Sequence, residues 1–165
     1  MALNIEDKKL VVEEVAAVAA NAGSMVAAEY RGLTVENMTQ LRNVARKAGV
    51  QIRVIKNTLA RRAIMGTKFE DLGETFTGPL VFAFSGEELG NAARVFKDFA
   101  KTNNKLVVRS MSIGEGAWDA SYLDKVAALP TRDEALSKLL YVMKEPVAKL
   151  ARGLVAVKEQ KEQAA

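Results

Sequence analysis

Cysteine and histidine are both absent from the 165 residues of this chain. Without cysteine there is no disulfide, thiolate nucleophile or cysteine-bound metal, and without histidine the commonest general base and metal ligand is missing. The nucleophile motifs S-x-x-K and G-x-S-x-G and the dinucleotide motif G-x-G-x-x-G do not occur either. These absences exclude most familiar enzyme chemistries, and we predict a protein with no catalytic residue, no metal site and no cofactor.

Long hydrophobic runs are also missing. The longest uncharged run, Val15 to Ala28, is interrupted by Asn21 and Gly23 and is shorter than the roughly 20 residues that cross a bilayer. We therefore predict a cytoplasmic protein without a signal peptide or a membrane span. Hydrophobic residues nevertheless make up 49% of the chain, which is enough to bury a core.

Helical and strand-like patterns alternate along the first 130 residues. Helical spacing starts near Glu6, Thr34, Asn57, Glu88 and Trp118, and we expect Asn57 to cap the third of these helices. Strand-like runs cover residues 22–30, 50–54, 79–85 and 105–113. This alternation predicts an α/β domain, an α+β sandwich, over residues 1–130, with one sheet covered mainly on one face.

A different pattern starts after Pro130. Thr131 and Glu134 form a T-x-x-E capping box, which predicts one long helix over residues 131–165. Pro146 removes one backbone hydrogen bond, so we expect a kink near Pro146 or a division of the helix after Met143 or Lys144. About 28 residues of helix would extend roughly 42 Å, more than a covering helix needs, and we therefore expect this helix to project.

Large apolar residues recur in this helix at intervals of four and three, as in a heptad repeat. We call them the apolar seam: Leu136, Leu139, Leu140, Met143, Val147, Leu150, Leu154 and Val157. The seam can pair with itself as a coiled coil, receive short helices of a partner, or pack on its own domain. Pro146 argues against a continuous coiled coil, because a two-stranded seam needs an unbroken helix.

Positive charge is concentrated between residues 31 and 62, which we call the basic segment. It holds eight basic side chains and the single acid Glu36. Neighbouring like charges repel unless a polyanion neutralises them, so the segment indicates a nucleic acid partner, with a merely solvated surface as the alternative. The segment contains no aromatic residue on which bases could stack. We therefore expect contacts to the phosphates of a folded RNA, for example at Arg31 beside Gly32 and where Lys56, Asn57 and Thr58 open a helix.

Several segments together resemble the bacterial large-subunit ribosomal stalk-base protein family, number ten of that subunit. They are the opening M-A-L-N-I-E-D-K-K, Y-R-G-L-T at 30–34, R-V-I-K-N-T-L-A-R-R at 53–62, G-P at 78–79, A-A-R-V-F-K-D-F-A-K at 92–101 and L-P-T at 129–131. The resemblance runs the whole length of the chain in the same order. Glu145 and Pro146 depart from the smaller, more helix-compatible residues of the family.

The resemblance implies a domain that binds 23S ribosomal RNA at the stalk base, alongside the eleventh large-subunit protein. It also implies a C-terminal helix that serves as a spine for dimers of the acidic stalk protein, number seven/twelve. Those dimers recruit GTP-bound translation factors, and family members can also bind their own messenger RNA leader. The alternative from the residues alone is a self-dimerising nucleic-acid-binding regulator with a C-terminal coiled coil.

Matching by position identifies the residues expected in each role. The expected RNA contacts are Arg31, Gly32, Arg53, Lys56, Asn57, Thr58, Arg61 and Arg62, with Arg42, Arg46 and Lys47 as flanking contacts. The apolar seam is the expected dimer-binding surface. Its 22 residues suggest two dimers, at about ten to eleven residues of helix for each.

Overall fold

A computed structural model of the chain describes residues 4–86, 88–114 and 116–164. It divides into two compact units, Met1–Leu129 and Pro130–Ala165. The first unit contains strands and helices in alternation, and the second is a single long helix. The mixed α/β class of the first unit and the long C-terminal helix confirm the predicted fold.

The first unit contains five helices and five strands among its described residues. The helices are α1 (Ile5–Asn21), α2 (Val35–Lys47), α3 (Asn57–Ile64), α4 (Asn91–Thr102) and α5 (Leu123–Ala127). The strands are β1 (Ser24–Glu29), β2 (Val50–Val54), β3 (Leu80–Ser85), β4 (Val107–Ser112) and β5 (Trp118–Asp119). Short 3-10 helices occupy Glu70–Thr75 and Ala120–Tyr122.

The five strands form one sheet in the order β2-β3-β1-β4-β5, and all neighbours are antiparallel. Side chains alternate between the faces of β1. Val26 and Ala28 join a core cluster with α2, α4 and α5, whereas Met25 and Ala27 join a second cluster with α1 and α3. The sheet is therefore covered on both faces, and the expectation of one covered face is wrong.

The second cluster contains a segment that periodicity did not identify. Phe69, Leu72 and Phe76 flank or lie in the 3-10 helix Glu70–Thr75 and are fully buried. The predicted helix from Trp118 to Ala128 also begins later than expected, because Trp118 pairs with Met111 as part of β5. Only Leu123–Ala127 of that segment is α-helical.

The last residues of the first unit are held by Arg94 of α4. Its Nε donates to the carbonyl of Ala127 at 3.0 Å, and its Nη2 donates to the carbonyl of Leu129. Gly90 packs closely on the same segment, since a Cβ added there would lie 3.2 Å from the Leu129 carbonyl oxygen. The end of the unit is thus fixed to the beginning of α4.

The second unit is the helix α6 (Arg132–Ala164), 33 residues long with Pro146 inside it. At 1.5 Å per residue it extends about 50 Å. The helix continues through Pro146, so the expected division after Met143 or Lys144 is wrong. Proline removes one hydrogen bond to the preceding turn, and the helical turns on both sides of it are retained. None of the described helices is long and apolar enough to cross a membrane.

The predicted capping box is present at the start of α6. The Glu134 amide donates to Thr131 Oγ1 at 3.3 Å, and the Thr131 amide donates to Glu134 Oε2 at 3.0 Å. We expect Thr131→Ala to destabilise the first turn by about 1 kcal/mol, because the hydroxyl oxygen is lost as an acceptor. Faster amide hydrogen exchange at residues 132–135, with unchanged exchange in β1, is the expected result. Equal exchange in Thr131→Ala and the parent would contradict it.

Candidate functional site

The ends of β1 and β2 bring two parts of the basic segment together. Both strands are antiparallel to β3, so they run in the same direction and their carboxyl ends meet at one end of the sheet. Arg31 and Gly32 follow β1, and Lys56 follows β2. Gly32 adopts a φ of 85°, a left-handed conformation that glycine takes without strain.

A cleft of about 340 Å³ lies at this end of the sheet, and we call it the strand-end cleft. Three segments line it: Tyr30, residues 54–58, and Gly78 with Pro79 and Leu80. These segments are far apart in the sequence and all contribute to the family resemblance. The fold therefore gathers the predicted contacts Lys56, Asn57 and Thr58 into one opening.

The beginning of α3 differs from the expectation in one detail. Lys56 occupies the N-cap position without a side-chain hydrogen bond, so the prediction that Asn57 caps α3 is wrong. The Asn57 side-chain amide instead donates to the carbonyls of Gly78 at 2.8 Å and Phe76 at 3.4 Å. Leu59 and Ala60 donate their amides to the Lys56 carbonyl, and since no side chain caps α3, the amides of Asn57 and Thr58 remain available to an anion in the cleft.

The Arg61 side chain, like that of Asn57, donates hydrogen bonds to backbone carbonyls of the 73–78 segment. Its Nε donates to the Gly73 carbonyl and its Nη2 to the Phe76 carbonyl, each at 2.8 Å. These bonds fix the 73–78 turn that forms one wall of the cleft. Arg62, next along α3, is exposed. Asn57 and Arg61 thus hold the turn that shapes the cleft, although Arg61 remains exposed on the surface.

A second opening lies along β2, and we call it the edge groove. It measures about 810 Å³ and is lined by residues 49–54 together with Arg42 and Arg46 of α2. Arg53 is exposed on β2, and its Nη2 lies 4.0 Å from Glu14 Oε2. Lys47 is exposed at the end of α2. The predicted flanking contacts Arg42 and Arg46 therefore belong to the edge groove and not to the strand-end cleft.

Two side chains at this end of the sheet were not among the contacts predicted from the sequence. Tyr30 is half-buried and lines the strand-end cleft, although the basic segment beginning one residue later contains no aromatic side chain. Lys105 lies beside the Arg31–Gly32 turn, since a Cβ added to Gly32 would be 3.5 Å from Lys105 Cδ. Lys105 is distant in sequence, and only the pairing of β1 with β4 brings it there.

The apolar seam is exposed along α6. The exposed fraction of its eight residues lies between 50% and 71%. Val142 and Val155 of α6 are exposed apolar residues outside the predicted seam, and Tyr141 is also exposed outside it. Exposed apolar surface of this extent is typical of a surface that another protein covers.

Three polar side chains lie on the face of α6 opposite the seam. Arg152 Nη2 donates to Glu145 Oε1 at 2.7 Å, and Arg152 Nε donates to the carbonyl of Ala148 at 3.2 Å. The Tyr141 hydroxyl and Arg152 hold the pKa of Glu145 below its ordinary value of 4.5. Because Glu145 precedes Pro146 and Arg152 follows it, the ion pair joins the two sides of the proline.

This ion pair predicts a pH dependence of α6. A lowered pKa means that the ionised carboxylate is favoured in the helix, so its stabilisation is present above pH 4.5 and is lost as the pH falls through the lowered value. We expect the protection factors of the amides at residues 147–152, which correct for the intrinsic slowing of exchange in acid, to fall on acidification more than those at residues 135–140. In Glu145→Gln, amide exchange at residues 147–152 should be faster than in the parent at neutral pH. Its pH dependence should equal that of residues 135–140. A variant with the parent's pH profile would show that Glu145 has no part in it.

Each of the two units matches a known family of proteins. Residues 3–101 match the family model of ribosomal protein L10, and residues 129–164 match that of the ribosomal protein uL10 C-terminal region. The large ribosomal subunit protein uL10 of Hydrogenovibrio crunogenus is 77% identical over 98% of both chains. The uL10 proteins of Legionella pneumophila strain Corby and of a Marinomonas species are 54% and 52% identical, each over at least 97% of both chains.

These similarities show that the chain is a structural protein of the large ribosomal subunit, and not an enzyme. Within that class, the chain belongs to the ribosomal protein L10 (uL10) family. The resemblance drawn from the sequence is thereby confirmed. Membership in this family gives the chain a role in translation and a cytoplasmic location on the large subunit.

Proposed function

We propose that residues 1–130 bind 23S ribosomal RNA at the stalk base, and that residues 131–165 anchor dimers of the acidic stalk protein. One observation carries this proposal: eight large apolar side chains are exposed on a 33-residue helix, in a unit separate from the basic domain. A chain with two such surfaces suits a scaffold that joins an RNA to a protein.

The RNA-binding part of the proposal rests on charge and on access. Lys56, Thr58 and Arg62 are exposed around the beginning of α3, whose first amides have no side-chain cap. Arg31 is exposed at the neighbouring turn. Phosphate groups of a folded RNA fit this arrangement, because helix amides and guanidinium groups both bind anions. The eleventh large-subunit protein would bind the same RNA beside this domain, and the protein's own messenger leader would use the same face.

The dimer-binding part rests on the seam. From Leu136 to Val157 it offers two successive stretches of about eleven residues, one for each of two dimers. Large apolar side chains exposed at heptad spacing suit short helices of a partner. In such packing, each side chain inserts between four side chains of the facing helix. Dimers held there would recruit GTP-bound translation factors to the subunit, and the spine itself would take no part in GTP hydrolysis.

Self-association is the second candidate, and the unbroken helix favours it. Because α6 continues through Pro146, two copies could pair along the whole seam as a coiled coil. The chain would then be a self-dimerising regulator that binds nucleic acid through the basic segment. The two candidates differ in what covers the seam.

Native mass spectrometry distinguishes them. The chain is co-expressed with the acidic stalk protein of its own organism, once in full length and once truncated after Pro130. We expect one copy of the full-length chain with four partner copies, and no complex after truncation. A homodimer that excludes the partner would overturn the dimer-anchoring proposal and leave the RNA-binding one in place.

A further inference from the structure

The outermost strand of the sheet, β2, has one edge without a partner strand among the described residues. It pairs with β3 from Val50 to Val54 along its inner edge only. In an antiparallel strand, the N–H and C=O groups of every second residue point to the same edge. The outer edge of β2 therefore presents both donors and acceptors to the edge groove.

Arginines border this groove on both faces of the sheet. Ile52 packs on the core cluster beneath α2, where Arg42 and Arg46 lie, and Arg53 points to the other face because side chains alternate along a strand. Within the described residues, no acidic side chain pairs with Arg42 or Arg46, and Arg53 has only Glu14 at 4.0 Å. The groove thus carries positive charge along its length, which favours binding of a polyanion.

The repeat of the edge matches the repeat of a nucleic acid strand. Outward-facing residues recur at about 6.8 Å, twice the rise of an antiparallel strand, which is comparable to the separation of successive phosphates in an extended strand and somewhat longer than in an A-form helix. At each step a phosphate oxygen can accept from an N–H. Each outward carbonyl needs a donor, and the ribose 2′-hydroxyl supplies one that deoxyribose lacks.

We propose that the free edge of β2 binds the 2′-hydroxyls of one RNA strand lying along the edge groove, while Arg42, Arg46 and Arg53 neutralise its phosphates. This inference rests on the RNA-binding role proposed above and adds a basis for selecting RNA over DNA. The five residues of β2 accommodate two or three nucleotides. No aromatic side chain lines the groove, so this contact is independent of base sequence.

An acidic peptide added as a sixth strand would also satisfy the edge of β2. RNA is favoured because the groove is continuous with the strand-end cleft through Val54, which lines both openings. A single RNA strand could therefore pass from the beginning of α3 along β2. The test must separate RNA from a peptide, and ribose contacts from phosphate contacts.

The experiment uses the full-length chain and a transcript of the 23S stalk-base region, made once with 2′-hydroxyls throughout and once with 2′-fluoro groups throughout. The fluoro group keeps the A-form sugar geometry but donates no hydrogen bond. We expect binding to weaken about 30-fold, as for two lost hydrogen bonds of ordinary strength, with an unchanged salt slope. Amide exchange over residues 50–54 should slow with the hydroxyl transcript and less with the fluoro transcript.

Arg42→Gln with Arg46→Gln provides the matched protein variant, since both side chains are exposed and away from the core. It should lower the salt slope for both transcripts and retain their difference in affinity. Equal affinity for the two transcripts, or unchanged exchange in β2, would overturn the ribose contact and leave RNA binding intact. Absence of binding to the hydroxyl transcript would overturn the proposed RNA-binding function itself. Slower exchange in β2 with a hexapeptide of alternating Glu and Val, and not with RNA, would assign the edge to strand addition.

Discussion

Leu150→Asp should abolish binding of the acidic stalk protein while leaving RNA binding unchanged. Leu150 lies in the middle of the apolar seam and is exposed in the free chain. Burying a leucine contributes about 1.5–3 kcal/mol, and an unpaired carboxylate in its place adds a further cost. We expect affinity for the partner to fall about 100-fold or more, which isothermal titration calorimetry would measure.

Val142→Asp is the matched control for Leu150→Asp. Val142 is an exposed apolar residue of the same helix, about 80° round the axis from Leu150 and outside the seam. We expect it to bind the partner nearly as well as the parent does. Equal loss in both variants would mean that charge or helix stability, and not the seam, governs binding. Loss of RNA binding in Leu150→Asp would show that the helix is needed by the basic domain.

Arg53→Ala combined with Lys56→Ala should weaken RNA binding and flatten its salt dependence. Arg53 borders the edge groove, and Lys56 lies at the beginning of α3 in the strand-end cleft. Each side chain that neutralises a phosphate contributes about one unit to the slope of log affinity against log salt. We expect the slope to fall by about 2 and the affinity at low salt to fall about 100-fold, as measured by filter binding at several salt concentrations.

Lys144→Ala with Lys149→Ala is the control for charge alone. It removes two positive charges from α6 and should leave the salt slope of RNA binding unchanged. Stalk-protein binding by Arg53→Ala with Lys56→Ala should equal that of the parent, because neither side chain belongs to α6. An unchanged slope in the Arg53 and Lys56 variant would exclude these two residues as phosphate contacts.

Periodicity predicted most of the elements because each one buries a single face. The seam and capping box located α6, with Arg132 as its first residue. The alternation of Val50, Ile52 and Val54 with polar residues likewise located β2. Strong local patterns of this kind depend on neighbouring residues alone, and the sequence contains them directly.

The rest of the fold depends on contacts between distant residues. The continuous run of β1, buried from Ser24 to Ala28, is compatible with two covered faces, but a run of this kind does not identify the helices that cover each face. The 3-10 helix at Glu70–Thr75 has too few turns for a periodic signal, and burial of Phe69 and Phe76 fixes it instead. Such tertiary contacts have no local pattern.

The sequence identified the segment that contains the candidate RNA contacts. It did not predict how these residues divide between the strand-end cleft and the edge groove. Charge density identified residues 31–62, whereas the sheet order separates Arg42 and Arg46 from Lys56 and Thr58. Arg61 was indistinguishable in sequence from its neighbour Arg62, yet within the part of the chain that the structure describes it is Arg61 that donates to the carbonyls of Gly73 and Phe76. Whether an arginine holds a turn depends on where that turn lies in the fold, and Gly73 lies twelve residues from Arg61 in the sequence.

The bonds from Arg94 to the carbonyls of Ala127 and Leu129 have a mechanical consequence. A ligand that pulls on α6 loads the chain through Pro130 and then Leu129, the last residue of the first unit. The tension meets the guanidinium of Arg94 and the closely packed start of α4 before it reaches any strand. Part of the tension is thereby transferred to α4, so that the backbone leading back through α5 to β5 is not the only anchor of the tether.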